Sequence, residues 1–178
     1  MKLNAVQLRK KISNFKFQIS NLEKNNIYIV LDNVLDTYNI GSIFRLADAV
    51  AAKKIYLCGD SEIPPNHRIK KASINTTEVV DWEYCETAVK AISNIKYQIS
   101  NIQIIAAEQS KRATRYDKFR YKLPICLVVG HETNGVSKPV LDMADGIVEI
   151  PMFGVNKSLN VMVSLGIVLY RVISNRKS

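Results

Sequence analysis

Short, continuously apolar runs recur along the chain at residues 27–31 (IYIVL), 54–58 (KIYLC), 103–107 (QIIAA), 125–129 (ICLVV) and 147–150 (IVEI), with helical stretches between them. Runs that are apolar throughout, rather than alternating, suit strands covered on both faces. Helical periodicity falls at 40–52, where Ile43, Phe44, Ala47, Val50 and Ala51 share a face, and again at 86–97, 137–144 and 159–173. The alternation predicts an α/β fold, a mostly parallel sheet with helices on both faces. Open sheets of this kind bind ligands at the carboxyl ends of their strands, so the loops that follow the strands are where function is sought.

A chain of 178 residues with 47 % hydrophobic content has the size of one domain, which buries about 70 % of the surface its unfolded chain exposes. Residues 1–26 read as a basic amphipathic helical extension: Leu3, Val6, Leu8, Ile12, Phe15, Ile19 and Leu22 are spaced helically among Lys2, Arg9, Lys10, Lys11, Lys16 and Lys24. Residues 27–178 form the domain itself. Cys58, Cys85 and Cys126 are odd in number and far apart, with no CxxC. They are expected as reduced, buried thiols, which excludes a disulfide scaffold and a zinc site. No run reaches the roughly 20 apolar residues of a membrane span, and the basic N-terminus does not read as a signal peptide, so the expected location is the cytoplasm.

Charge narrows the partner. Lys and Arg number 25 against 16 Asp and Glu, a formal net charge of +9, and such an excess suits a polyanion. Two loop-like segments concentrate it: Pro64, Pro65, Asn66, His67, Arg68, Lys70 and Lys71, then Lys111, Arg112, Arg115, Lys118, Arg120 and Lys122. Both follow expected strands, at the ends where a ligand would sit.

The common nucleotide motifs are absent. None of the seven glycines forms a GxG pair, and residues 130–137 (GHETNGVS) mimic the spacing of a phosphate-binding loop but place Val136 where lysine is required. With only His67 and His131 available, a hydrolase triad or a histidine-based metal site has little material.

Three segments are specific. Residues 39–45 (NIGSIFR) follow the first strand, residues 129–136 (VGHETNGV) follow a later one, and Ile150-Pro151-Met152 precedes Ser158-Leu159-Asn160-Val161. In that order they resemble the signature motifs of the SpoU/TrmH family of RNA ribose 2′-O-methyltransferases, members of the SPOUT superfamily, over residues 27–173. The resemblance makes 27–178 a SpoU-type methyltransferase domain and implies a deep C-terminal trefoil knot. It also implies a homodimer whose subunits complete each other's sites, RNA as substrate, and S-adenosyl-L-methionine as cofactor without a metal.

Its implications for single residues are concrete. The catalytic set is Arg45 with Asn39, Glu132, Ser158 and Asn160, the last three holding loops and orienting Arg45 and the substrate. The cofactor pocket takes Ala107, Gly130, Ile150, Ser158 and Leu159. A neutral adenine and a sulfonium need backbone donors and acceptors with an apolar slot rather than an anion cradle, which accords with Val136. A guanidinium stays protonated at neutral pH, so Arg45 reads better as a cation that positions a phosphate and stabilises a developing alkoxide than as a base. Taken alone, Asn39 also reads as the N-cap of the helix it starts. Gly41, inside the first turn, costs up to about 1 kcal/mol relative to Ala and should mark a close approach.

One segment departs from the family pattern. Lys71-Ala-Ser-Ile-Asn75-Thr76 lacks the usual glycine, and asparagine, which tolerates a left-handed backbone, can keep the turn. The segment lies where RNA should approach, so the change bears on target rather than chemistry. The short chain favours transfer RNA over ribosomal RNA. Two other readings stand beside the methyltransferase: an RNA-binding protein of the same fold without methyl transfer, and a small-molecule α/β enzyme whose basic patches serve solubility.

Overall fold

A computed structural model describes residues 23–174 together with Asn4, Val6 and Gln7. Most of the helix expected over 1–26, and the basic tail Arg176-Lys177, lie outside the described residues. The strands are β1 (Asn25–Asp32), β2 (Ala52–Cys58), β3 (Trp82–Cys85), β4 (Gln103–Ala107), β5 (Thr114–Arg115), β6 (Ile125–Gly130) and β7 (Gly146–Glu149). The helices are α1 (Thr37–Ala49), α2 (His67–Ser73), α3 (Ala88–Gln98), α4 (Lys138–Met143) and α5 (Val161–Ser174), with a 3-10 turn at Thr76–Glu78.

The strands form one sheet in the order β3-β2-β1-β6-β4-β7-β5, and every registered pair is parallel. The chain winds outward from β1 to β3, then crosses to β4 on the far side of β6. That reversal leaves a crevice at the carboxyl ends of the central strands. Continuous burial of β6 and of most of β1 explains why their sequences do not alternate. Ile29, Leu31, Ile55 and Leu127 pack under α1, α2 and α5, while Val30, Tyr56, Ile104 and Val128 pack under α3 and α4. Each fully buried aliphatic side chain contributes roughly 1.5–3 kcal/mol, so both helical layers are fixed to one rigid sheet.

Several boundaries move. Residues 25 and 26, read as helix, open β1. The helix expected over 40–52 runs from Thr37 to Ala49, because Asp36 caps it and Ala51 turns left-handed (φ 49°) before β2 begins at Ala52. The segment 64–71, read as a loop, holds most of α2, started by Asn66, whose side-chain oxygen accepts from the amides of Arg68 (2.9 Å) and Ile69 (3.3 Å). An Asn cap hidden behind two prolines is a weak signal in sequence. Strands β3 and β5 were not expected, being short and half polar.

Cys58, Cys85 and Cys126 are free and buried, and burial, above all other influences, pushes the thiols of Cys58 and Cys126 well up. At neutral pH they are inert core residues. Among the described residues no helix is long and apolar enough to cross a membrane.

Candidate active site

Polar side chains from the three motifs meet where α1 begins. The Asp36 carboxylate accepts from the amides of Tyr38 (2.7 Å) and Asn39 (3.0 Å) and so caps α1. Asn39 is therefore not the N-cap; it lies inside the first turn, 8 % exposed, with its side chain free to bridge. Its amide nitrogen donates to Glu132 Oε1 at 3.1 Å, and its carbonyl oxygen accepts from Asn160 Nδ2 at 2.9 Å. Glu132 also accepts from the backbone amides of Leu35 (3.1 Å) and Asp36 (3.0 Å). Asn160 caps α5, its side-chain oxygen accepting from Met162 N (2.9 Å) and Val163 N (3.4 Å). One residue from each motif thus belongs to a single chain of hydrogen bonds that fixes the starts of α1 and α5 against the loop after β6.

The electrostatics of Glu132 follow from this arrangement. Partial burial pushes its carboxyl up, but the hydrogen bonds from Asn39 and from the Asp36 and Leu35 amides outweigh it and hold the group below its ordinary 4.5. Glu132 is a structural anion at neutral pH, suited to holding a loop rather than accepting a substrate proton.

Beside this network, at the carboxyl ends of β4, β6 and β7, lies a pocket of about 560 Å³. Its volume falls within the usual range for small-molecule sites. All five residues assigned to the cofactor, Ala107, Gly130, Ile150, Ser158 and Leu159, line it, and so do Glu132 and Asn160. The loop after β6 folds back tightly: His131 and Gly135 exchange backbone hydrogen bonds of 3.1 and 2.8 Å. A Cβ on Gly130 would stand 2.2 Å from the Gly135 backbone, and Gly135 itself has φ +67°. Both positions therefore demand glycine, the first for space and the second for conformation. The lining offers backbone groups of Gly130, Ile150 and Leu159 with the apolar side chains of Ala107, Val129 and Leu159. That donor set fits a neutral adenine and a sulfonium-bearing chain.

Arg45 stands apart. It is exposed on α1, one turn beyond Gly41, and outside the pocket lining. Among the described residues its guanidinium takes part in no hydrogen bond or ion pair. Gly41 marks the close approach expected of it, since a Cβ there would meet Ala72 Cβ at 2.6 Å and the Ile69 carbonyl at 2.7 Å, so α1 and α2 touch. Ser158 is exposed at the pocket. In the departing segment both Ile74 (φ 52°) and Asn75 (φ 64°) are left-handed, and for a β-branched residue such as Ile74 that conformation is strained.

Sequence reasoning missed three site residues. Glu108, directly after β4, accepts from Val136 N at 2.7 Å. Asp32, 3 % exposed at the end of β1, accepts from Ser137 N at 2.8 Å and from Asn33 Nδ2 at 2.9 Å. His131 accepts from the amides of Thr133 (2.9 Å) and Asn134 (3.3 Å). A carboxylate at the last position of an otherwise apolar strand, or directly after it, was the available signal for Asp32 and Glu108.

Residues 26–170 match the model of the SpoU rRNA Methylase family. The chain is 30 % identical over 181 residues to a tRNA (guanosine(18)-2′-O)-methyltransferase of Aquifex aeolicus, covering 99 % of this chain and 82 % of the relative. It spans 58–61 % of the length of other curated TrmH-family relatives. Among solved structures it resembles the A. aeolicus TrmH/SpoU tRNA modifying enzyme (TM-score 0.78, 27 % identity, 97 % of this chain and 82 % of that one). It also resembles an AdoMet-bound rRNA methyltransferase from Sinorhizobium meliloti (TM-score 0.76, 25 % identity, 88 % of this chain and 60 % of that one).

Proposed function

The chain belongs to the SpoU rRNA methylase family, and from that premise we propose that it is an S-adenosylmethionine-dependent methyltransferase acting on a ribose 2′-hydroxyl of RNA in the cytoplasm. Transfer RNA is the favoured substrate, as for the A. aeolicus relative, which covers the whole chain. The observation that carries the reading is the Glu132–Asn39–Asn160 connection, which joins the three motifs at the rim of a pocket whose donor set suits the cofactor.

Ala107, Gly130, Ile150 and Leu159 would hold the cofactor, through backbone polar groups and apolar contact. When bound, the cofactor supplies an electrophilic methyl group. Asn39, Glu132 and Asn160 are positioning residues: they fix the first turn of α1, and with it the line along which Arg45 projects. Arg45 is the catalytic residue. Its guanidinium binds a phosphate flanking the target ribose and stabilises negative charge as it develops on the 2′-oxygen. Orientation of the two reacting groups supplies much of the rate.

The functional unit is a homodimer. Arg45 does not line the pocket of its own chain, and the exposed apolar side chains Leu35, Tyr38, Phe153, Val155, Leu159 and Val163 concentrate on the α1 start, the α5 start and the loop before α5. A second copy packed there covers them and brings its own Arg45 toward the pocket. The trefoil knot of the family belongs to the same reading.

Labelled S-adenosylmethionine, incubated with the protein and total RNA from cells lacking its gene, should mark one nucleotide on its ribose. No label in any RNA class would refute the proposal. Arg45→Ala should lower methyl transfer by about 10²–10³-fold, the scale of losing one oxyanion donor, with cofactor affinity by calorimetry within twofold of wild type.

A further inference from the structure

The second basic segment does not sit wholly at the strand ends, as expected from sequence; it runs down the flank of the sheet. It starts at the carboxyl end of β7, where Tyr116 N donates to the carbonyl of Glu149 at 2.9 Å, and Glu149 lines the pocket. It finishes at the opposite end, where Lys122 N donates to Gln103 Oε1 at 2.9 Å and Gln103 N donates to the Pro124 carbonyl at 3.0 Å. Between these points the side chains alternate. Phe119 and Tyr121 turn inward, their rings 5.1 Å apart. Tyr121 is 8 % exposed and donates to the Tyr116 carbonyl at 2.8 Å, while a Cβ on Gly146 would meet the Phe119 ring at 2.5 Å. Lys118, Arg120 and Lys122 are left on the outside, all exposed.

Their neighbours in sequence are engaged: Arg115 grips Asp117 through Nε (2.7 Å) and Nη2 (2.8 Å), and Arg112 lies 3.6 Å from Asp142. Among the described residues, Lys118, Arg120 and Lys122 make no ion pair and no side-chain hydrogen bond. Lys118 closes a turn in which its amide donates to the Arg115 carbonyl at 2.9 Å, and Arg120 and Lys122 follow it on the same exposed side.

We propose that Lys118, Arg120 and Lys122 form a track that binds phosphates of the RNA substrate and leads away from the pocket along the sheet. The inference rests on the reading that the substrate is RNA, and it adds where that RNA runs. The two aromatic rings are committed to the core, so they anchor the backbone beneath the cations rather than stack on bases. The track therefore contributes affinity without sequence preference. A strand of six residues such as β6 spans about 20 Å, so Lys122 is reached by a folded RNA and not by a trinucleotide placed at the pocket.

Filter binding of unfractionated transfer RNA across a series of KCl concentrations tests this on wild type, K118E/R120E/K122E and the milder K118Q/R120Q/K122Q. The milder variant should bind at least about tenfold more weakly near physiological salt, with the slope of log K against log[salt] reduced by about 2, the value for three lost phosphate contacts. Its affinity for S-adenosylmethionine and its thermal midpoint should match wild type, and in transfer assays the KM for RNA should rise with kcat retained. If both triple variants keep wild-type affinity and slope, the track is wrong while the RNA reading stands. The track also fails if K53Q/K90Q/K138Q, neutralised on other surfaces, lowers the slope as much. A wild-type protein that binds no transfer RNA at low salt overturns the track and the RNA reading together.

Discussion

Two loops wall the same pocket and are held in opposite ways. Residues 130–137 are pinned by side chains from their own chain: Glu108 takes Val136 N at 2.7 Å, Asp32 takes Ser137 N at 2.8 Å, and His131 takes Thr133 N at 2.9 Å. Across the pocket, residues 151–159 have little to hold them. Phe153 and Val155 are 92 % and 103 % exposed, Gly154 has nothing near it, and the Ser158 amide reaches Asn156 Oδ1 only at 3.5 Å. Gln109 Nε2, donating to the Lys157 carbonyl, is the main side-chain tie. The first wall is held within one chain, whereas the second presents the apolar side chains of Phe153 and Val155 to water.

The contrast is broken most severely at Gly130. A methyl group there would collide with the Gly135 backbone at 2.2 Å, and backbone cannot rotate away as a side chain can. Gly130→Ala should destabilise the fold by about 3 kcal/mol, at the upper end of overpacking costs, and should abolish cofactor binding. Thermal melting and calorimetry check both. A substitution of similar size in the other wall, Gly154→Ala, meets no atom within 4 Å and should leave the melting midpoint in place.

Glu132 comes next. Glu132→Ala strands the Leu35 and Asp36 amides and the buried Asn39 side chain, though the exposure of Leu35 and Asp36 lets water replace part of what is lost. A loss of about 1–2 kcal/mol is expected, and on the proposal that Glu132 helps aim Arg45, transfer should fall further than stability. The same carboxylate gives the pinned wall an acid limit. Its folded pKa lies below the ordinary 4.5, so its stabilisation is complete above that value and is lost as pH falls through the folded one. Glu86, held low by Lys90, adds a loss over the same range, and Asp117 and Asp142, held low by Arg115 and Lys138, add theirs only below their ordinary 3.8. The difference between wild type and Glu132→Gln isolates this one group: it should be constant above 4.5 and shrink below it.

The sequence made one wall easier to read than the network behind it. Apolar runs located β1, β4 and β6 because a strand buried on both faces leaves an unbroken hydrophobic signature. The pocket residues were legible through the family likeness, since loop motifs keep the same residue types in the same order. What stayed hidden was pairing across the chain. Nothing local to Asn39 shows that its partner lies 121 positions away, and the local rule assigned it the cap that Asp36 holds. Asp32 and Glu108 carry no local mark of what they hold, because their partners are backbone amides of a distant loop. The left-handed turn after α2 survived its missing glycine, but the strain falls on Ile74 as well as on the tolerant Asn75.

The smallest effect on the folded chain, and the sharpest test of the contrast, is expected from Phe153→Ser combined with Val155→Ser. Neither side chain is buried in one chain, so the pair removes no core contact, and surface changes of this kind stay within about 0.5 kcal/mol. If a second copy covers this wall, the same change removes apolar area from the dimer interface. Sedimentation at falling protein concentration should then show the double variant dissociating into monomers where wild type is still dimeric. Because Arg45 would come from the partner, methyl transfer should fall in parallel with dimer content and recover at high protein concentration. A variant that stays dimeric and fully active would mean that the open wall faces solvent in the working enzyme, and that whatever completes the pocket comes from elsewhere.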